Sequence, residues 1–335
     1  MNRIVLIGNG FDLAHGLKTS YKDFIDWYLN EKKDTSGILY KSLIRHYDLY
    51  VTYMTEKQIE ECMREFCTFL ENIRKRIGTI GWVDVEEEYY ALLLQLAFHK
   101  SPKSKMLNPK ILNIQMDHLK DMLIEYLKME EQKKVEVIQS VKEKIYRPIK
   151  RNEITVEDFN SSDKHNSEDV TLENIMLLNF NYTKTEKLYI DSDSEVQVNH
   201  IHGGLDNDNS IIFGYGDELD GEYEKLKNLH DSECLRNIKS IRYLDADNYR
   251  NLLTFITSGP FQVCIMGHSC GNSDRTLLNT LFEHKNCVSI KPYYYKKDNG
   301  TDNYQELVQN INRCFTDMKL MRAKVVNKEF CETLV

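Results

Sequence analysis

The chain has 335 residues, a length for one large domain or two ordinary ones. Glycine numbers 15 and proline 5, both well under the usual ~7% and ~5%, which excludes a turn-rich all-β protein, a collagen-like repeat and a low-complexity chain. Acidic residues outnumber basic ones by 52 to 44, and the net charge of −8 gives no overall field to draw the chain onto nucleic acid, while 13 Phe and 20 Tyr within a 41% hydrophobic composition exclude disorder.

Residues 2–7 (NRIVLI) form an apolar run that ends in Gly8-Asn9-Gly10, the pattern of a buried strand entering a tight turn. Helical periodicity follows, with helices predicted over 20–32, 38–48 and 56–77. Over 84–98, Val85, Tyr89, Leu92 and Leu96 make one apolar stripe. Leu112, Met116, Leu119, Leu123 and Tyr126 make another, on a longer helix that starts near Pro109. Both stripes read as packing faces. The basic cluster in 133–151 reads as the solvated face of a long helix. The polar stretch 150–172 reads as an exposed loop.

Beyond it the texture becomes β–α. Strands are predicted at Ile175–Leu178, Val196–Val198, Ile211–Phe213, Val263–Met266 and Val288–Ile290, with helices over 274–285 and 303–318. Such alternation predicts an α/β fold, a Rossmann-like, mostly parallel sheet covered on both faces. The first strand needs the same sheet, so 1–335 is expected to be one α/β domain. In it, 1–20 and 171–325 form the Rossmann-like core and 21–170 a large helical insertion.

None of the eight cysteines forms a CxxC pair, which speaks against a zinc ribbon. The chain opens on a strand-like run with no signal-peptide pattern, and no apolar run approaches the ~18–20 residues of a membrane span. A soluble protein of a reducing cytoplasm, with no membrane partner, is expected.

Four segments could carry chemistry. Gly8-Asn9-Gly10-Phe11-Asp12 ends the first strand, where backbone amides could approach a phosphate. Position 13 is Leu13 and not the third glycine of a dinucleotide fingerprint, so a standard dehydrogenase is disfavoured; the alternative is a tight turn with Asp12 as a cap or a ribose ligand. Asn179-Phe180-Asn181-Tyr182-Thr183 ends a buried strand in amides and hydroxyls that face either a ligand crevice or a turn. In Asn199-His200-Ile201-His202-Gly203, the two histidines would point the same way in a strand. No third metal ligand accompanies them, and His202 is the better candidate for a general base. Gly267-His268-Ser269-Cys270-Gly271-Asn272-Ser273-Asp274 is a second strand-to-helix junction, where Asn272, Ser273 or Asp274 could equally cap the helix.

Taken in order, GNGFDLAHGLKTSYKDF from residue 8, WVDVEEEY at 82–89, LNFNYT, HIHG, FGYGDE and GHSCGNSD resemble the bacteriophage abortive-infection family AbiH. At a greater distance the order is similar to the sirtuin-like NAD-binding domains of antiphage defence. Their first glycine turn corresponds to Gly8-Asn9-Gly10 and their Asn-Tyr-Asp to Asn181-Tyr182-Thr183. Their His-Gly corresponds to His202-Gly203, and their Gly-Tyr-Ser…Asp junction to Gly267-His268-Ser269…Asp274. Thr183 departs from that pattern by replacing an acid, and the zinc-binding cysteine pairs of deacylase sirtuins are missing.

The resemblance implies a sirtuin-like fold and an antiphage protein that hydrolyses NAD, as substrate and without a metal, at the nicotinamide–ribose bond. Asn181 and His202 would be catalytic. Gly8, Asn9, Gly10, Phe11, Asp12 and Asn179 would hold the nucleotide, with Gly267, Ser269 and Asp274 toward its adenosine half. A non-catalytic nucleotide sensor or partner-binding subunit of a defence system is the alternative, supported by Thr183. The expected small-molecule partner is NAD or a related nucleotide, with room left for a homo-oligomer and for a phage-derived or protein trigger; nucleic acid is disfavoured.

Overall fold

The structure, a computed structural model, describes residues 1–31, 55, 57–58, 73, 84–98, 108–155, 169–191 and 195–335. The elements used below are, in chain order, β1 (Asn2–Ile7), α1 (Asn9–Ala14), α2 (Tyr21–Glu31), α3 (Val85–Phe98), α4 (Pro109–Glu131) and α5 (Gln139–Tyr146). There follow β2 (Ile175–Asn179), β3 (Val196–His200), α6 (Gly221–Lys227), α7 (Lys239–Arg242), α8 (Asn248–Thr257) and β4 (Phe261–Met266). The last are α9 (Arg275–Phe282), β5 (Cys287–Tyr293), α10 (Tyr304–Arg313) and α11 (Met318–Lys324). The chain divides into two units: 1–17, 131–212 and 240–335 form one, and 18–130 with 213–239 the other.

The first unit is a Rossmann-like α/β fold. Its five strands are all parallel, in the order β3-β2-β1-β4-β5, with Val5 beside Leu177 on one side and Cys264 on the other. Every residue of β1, β2, β4 and β5 is buried, as expected of parallel strands covered on both faces. Alternate residues divide between two cores. Ile4, Leu6, Leu178, Val263 and Ile265 pack with Leu252 and Phe255 of α8 and Leu278 and Leu281 of α9. Val5, Ile7, Leu177, Cys264 and Met266 pack with Phe11 of α1, Val141 and Ile145 of α5, and Tyr189.

The second unit is helical. Phe24 and Tyr28 of α2, Tyr89 and Leu93 of α3, and Leu119 and Leu123 of α4 are buried in it. The buried stripe of α3 also takes in Glu86, whose charge meets Lys239 Nζ at 2.8 Å and whose other oxygen accepts the Gly214 N–H at 2.9 Å. A cavity of about 690 Å³ in this unit is lined by Ala91, Leu94, Gln95, Phe98, Glu222 and Lys225.

Several expectations change. Ile211–Phe213 is not a strand: Ile212 donates one bond to the His202 carbonyl and no ladder extends from it. The helix predicted over 303–318 stops at Arg313, and a separate helix begins at Met318, where Asp317 accepts the amides of Lys319 and Leu320 and caps a fresh start. The basic cluster of 133–151 is not one solvated helix face. Arg3 donates to the carbonyls of Lys144, Ile145 and Arg147, while Lys144 is itself buried and donates to Leu334. The helices predicted over 38–48 and nearly all of 56–77 lie outside the described residues. No described helix is long and apolar enough to cross a membrane.

Candidate functional site

The sheet order reverses between β1 and β4, and ligands of open α/β sheets bind at such a switch point, outside the carboxyl ends of the strands. Four loops gather there. The loops after β1 and β4 meet backbone to backbone: Gly10 N–H donates to the Gly267 carbonyl at 2.8 Å and Gly8 N–H to that of Met266 at 3.3 Å. Phe11 N–H turns back to the Gly8 carbonyl at 2.9 Å. A Cβ on Gly8 would lie 2.5 Å from His268 Cα, and one on Gly267, where φ is +79°, 2.1 Å from Phe11 N. These glycines let two loops close on each other, and three of the amides expected to meet a phosphate are spent within the protein. Asn9 opens α1, and the Phe11 ring is fully buried between His15 and Tyr189.

Asp12 is 1% exposed and makes no side-chain cap on α1. Its Oδ2 accepts the Thr183 hydroxyl at 2.5 Å, and its Oδ1 finds no hydrogen-bond partner among the described residues. Burial pushes its carboxyl up to about 6; the Glu186 charge adds to this, and the polar groups of Thr183, Thr185 and Asn181 pull the other way.

The loop after β2 is shaped by buried Asn179. Its Oδ1 accepts the Asn181 amide at 2.8 Å, and its Nδ2 donates to the Thr183 carbonyl and to Glu186 Oε2 at 2.7 Å. That arrangement holds half-buried Asn181 with its side-chain amide donating to the Gly8 carbonyl at 3.0 Å. His200 Nδ1 lies 3.3 Å from the Asn181 carbonyl and its Nε2 lies 3.0 Å from Glu186 Oε1, so both ring nitrogens face acceptors.

β3 ends at His200, and His202 sits in the turn beyond it. The two rings therefore part: His200 goes to Glu186, and His202 Nε2 lies 3.3 Å from Asp274 Oδ1 and 3.3 Å from Tyr243 Oη. The strand-period geometry expected for chelation does not form. Among the described residues no group of three or more His, Cys, Asp or Glu is placed to share a metal ion. His202 is also the more buried of the pair, at 4% exposed.

Asp274 stands before α9 without capping it. Its carboxylate lies between two histidines instead, with Oδ2 3.4 Å from His268 Nε2. The Phe180 ring packs against both, 5.3 Å from His202 and 4.1 Å from His268 between centroids. Cys270, in the same loop, holds a left-handed φ of 55°, a conformation that costs a non-glycine residue about 1–3 kcal/mol. Burial raises its thiol well above the ordinary value, which disfavours the thiolate. Ser269 is exposed, and its carbonyl accepts from Asn310.

Of the residues singled out in the sequence, Gly8, Gly10, Asn181, His202, Gly267 and Asp274 thus belong to loops in contact at one sheet edge. Phe11, Asp12 and Asn179 support them from beneath, and Ser269 faces outward. Glu186 and Tyr243 were not singled out, and His268 was named only as part of its junction. Glu186 stands three residues beyond Thr183, the one hint that a carboxylate returns to this turn.

The chain is an α/β protein whose Rossmann-like unit carries a His–Asp–His cluster at the carboxyl edge of its sheet. The profile of the family described as bacteriophage abortive infection AbiH matches residues 4–295. The chain belongs to the AbiH family, and its role is in bacteriophage abortive infection. No curated protein and no solved structure matches it.

Proposed function

We propose that the chain carries out its abortive-infection role by hydrolysing NAD at the nicotinamide–ribose bond, with His202 as general base and Asn181 as the residue that orients water or the ribose hydroxyls. The observation that carries this is the placement of His202 Nε2 against Asp274 and Tyr243, at 3.3 Å each, on a loop that meets the Asn181 loop through Phe180. A carboxylate behind an imidazole fixes the ring and supports its uptake of a proton. Nicotinamide leaves as a neutral pyridine, so the departing group needs no strong acid. Positive charge builds on the ribose as the bond from C1′ to the pyridine nitrogen breaks. Water oxygen bonds to C1′, and the proton that the water loses passes to His202. The products are nicotinamide and ADP-ribose.

Thr183 lacks a carboxylate, but its hydroxyl is bonded to Asp12, and Glu186 is tied to the same loop through Asn179. Those two acids supply negative charge beneath the developing cation. Asp274, expected toward the adenosine half, is reassigned here to His202. Because the Gly8, Gly10 and Phe11 amides are spent on the protein, the proposal rests on the nicotinamide–ribose end of the molecule.

A non-catalytic nucleotide sensor is the second reading, favoured by the same closed glycine loops and by the 4% exposure of His202. His202→Ala and Asn181→Ala separate the two. Each is expected to abolish nicotinamide release in extracts of phage-challenged cells; a release equal to that of the unaltered chain in both would refute the assignment.

A further inference from the structure

His200 has no part in the chemistry proposed above, yet the sheet seats it among the residues that shape the Asn181 loop. β2 and β3 pair in parallel with Asn179 beside His200, and both side chains reach Glu186. The Asn248 side-chain amide donates to the His200 carbonyl at 2.7 Å and pins the end of the strand. Four hydrogen bonds then close a circuit. The Asn181 backbone N–H donates to Asn179 Oδ1 at 2.8 Å, and Asn179 Nδ2 donates to Glu186 Oε2 at 2.7 Å. His200 Nε2 lies 3.0 Å from Glu186 Oε1, and its Nδ1 returns to the Asn181 carbonyl at 3.3 Å.

The fixed members of the circuit decide who donates. A peptide N–H can only donate, so Asn179 turns its oxygen to Asn181 and its Nδ2 to the Thr183 carbonyl and to Glu186. A peptide carbonyl can only accept, so the bond from His200 to Asn181 needs a proton on Nδ1. Glu186 is 0% exposed, accepts from Asn179 with one oxygen and faces Nε2 with the other. That last bond needs a second proton, and an imidazole holds it in preference to a carboxylate, whose ordinary pKa is about two pH units lower. The His200 side chain is 20% exposed, so water helps to carry the charge. Asp206, bonded to Lys184, adds a further negative charge near the ring, and Asp12 stands beyond Glu186. With both ring protons in place every member of the circuit is satisfied, and such a closed network is rigid.

We propose that His200 is a positioning residue: protonated on both ring nitrogens, it joins Glu186 to the Asn181 carbonyl and fixes the loop that presents the Asn181 side chain. The consequence for catalysis rests on the NAD-cleaving site proposed above; the circuit does not.

The test is long-range proton–nitrogen NMR at pH 7 on the full chain labelled with nitrogen-15, the His200 signals being assigned by their loss in His200→Gln. Both ring nitrogens are expected to carry protons. Glu186→Gln keeps the shape of the circuit but offers Nε2 an amide N–H, so the ring should become neutral with its one proton on Nδ1. A neutral His200 in the unaltered chain overturns the proposal and needs no variant to fold. A ring left unchanged by folded Glu186→Gln overturns it as well. Hydrogen exchange of the Asn181 backbone amide reads the loop without NAD. It should quicken about 10-fold in His200→Leu, or in His200→Ala should the leucine variant not fold; an unchanged rate would refute the hold on Asn181. Under NAD turnover, the same variant should lower kcat about 10²-fold at nearly constant KM, and a kcat equal to that of the unaltered chain would refute the positioning role. Absence of turnover in the unaltered chain would refute the NAD chemistry and leave the ring and exchange results as the judgement on His200.

Discussion

Gly267→Ala tests whether the glycines of the sheet edge serve loop closure. The residue has φ +79°, where an L side chain costs about 1–2 kcal/mol. Its new Cβ would lie 2.1 Å from Phe11 N and 2.6 Å from Gly10 C, far inside the 3.4 Å at which ordinary contact begins. Both neighbours are backbone, so relief requires the β1 and β4 loops to part. Parting them breaks the 2.8 Å bond from Gly10 N–H to the Gly267 carbonyl, worth about 1 kcal/mol net, and adds overpacking strain of about 1–3 kcal/mol. The expected loss is roughly 3–6 kcal/mol. Gly300→Ala is the control: its φ is +84°, and nothing lies within 4 Å of the added carbon, so only the backbone cost applies. Urea unfolding of both variants, followed by a probe in the sheet unit, should separate them by about 2–4 kcal/mol. Equal destabilisation would refute the claim that these glycines exist to bring two backbones together.

Two further predictions concern buried charge. Asp12 carries a folded-state value of about 6 against an ordinary 3.8, so above pH 6 its burial destabilises the fold by about 3 kcal/mol, and this is relieved as pH falls through that window. Relative to Asp12→Asn, the unaltered chain should therefore gain about 1 kcal/mol between pH 7 and pH 5 in urea titrations; parallel pH profiles would contradict it. In the helical unit, Lys239→Met removes the cation paired with the buried Glu86 and should cost about 3–5 kcal/mol, most of it recovered when Glu86→Gln is added; a double variant no better than the single one would contradict the pairing.

Periodicity made the sheet largely legible. The cores of β1, β2 and β4, residues 4–7, 175–178 and 263–266, are apolar because a parallel strand is buried on both faces. β5 extends past its apolar start because Lys291 is paired with Glu153 at 2.5 Å and because an edge strand tolerates Pro292, neither of which periodicity reveals. Glu86 hides in an acidic run for the same reason: its partner Lys239 lies far along the chain.

The candidate site was legible as residue types but not as partners. Gly8 and Gly267 were readable as turns, while their mutual packing depends on β1 lying beside β4. Asp274 carries the signature of a helix cap, and only the fold turns its carboxylate toward His202 and His268. His268 was readable only as part of a strand-to-helix junction, and its contacts with the Cys270 amide and the Asp274 carboxylate appear only in the fold.

The central claim is that the Asn181–His202 site destroys NAD. The most direct measurement is of NAD, nicotinamide and ADP-ribose in phage-infected cells that express the unaltered chain or its His202→Ala variant. The account predicts that NAD falls in the former, with nicotinamide and ADP-ribose rising in equal amounts, and holds steady in the latter. Abortive infection that proceeds in cells whose NAD stays constant would contradict it.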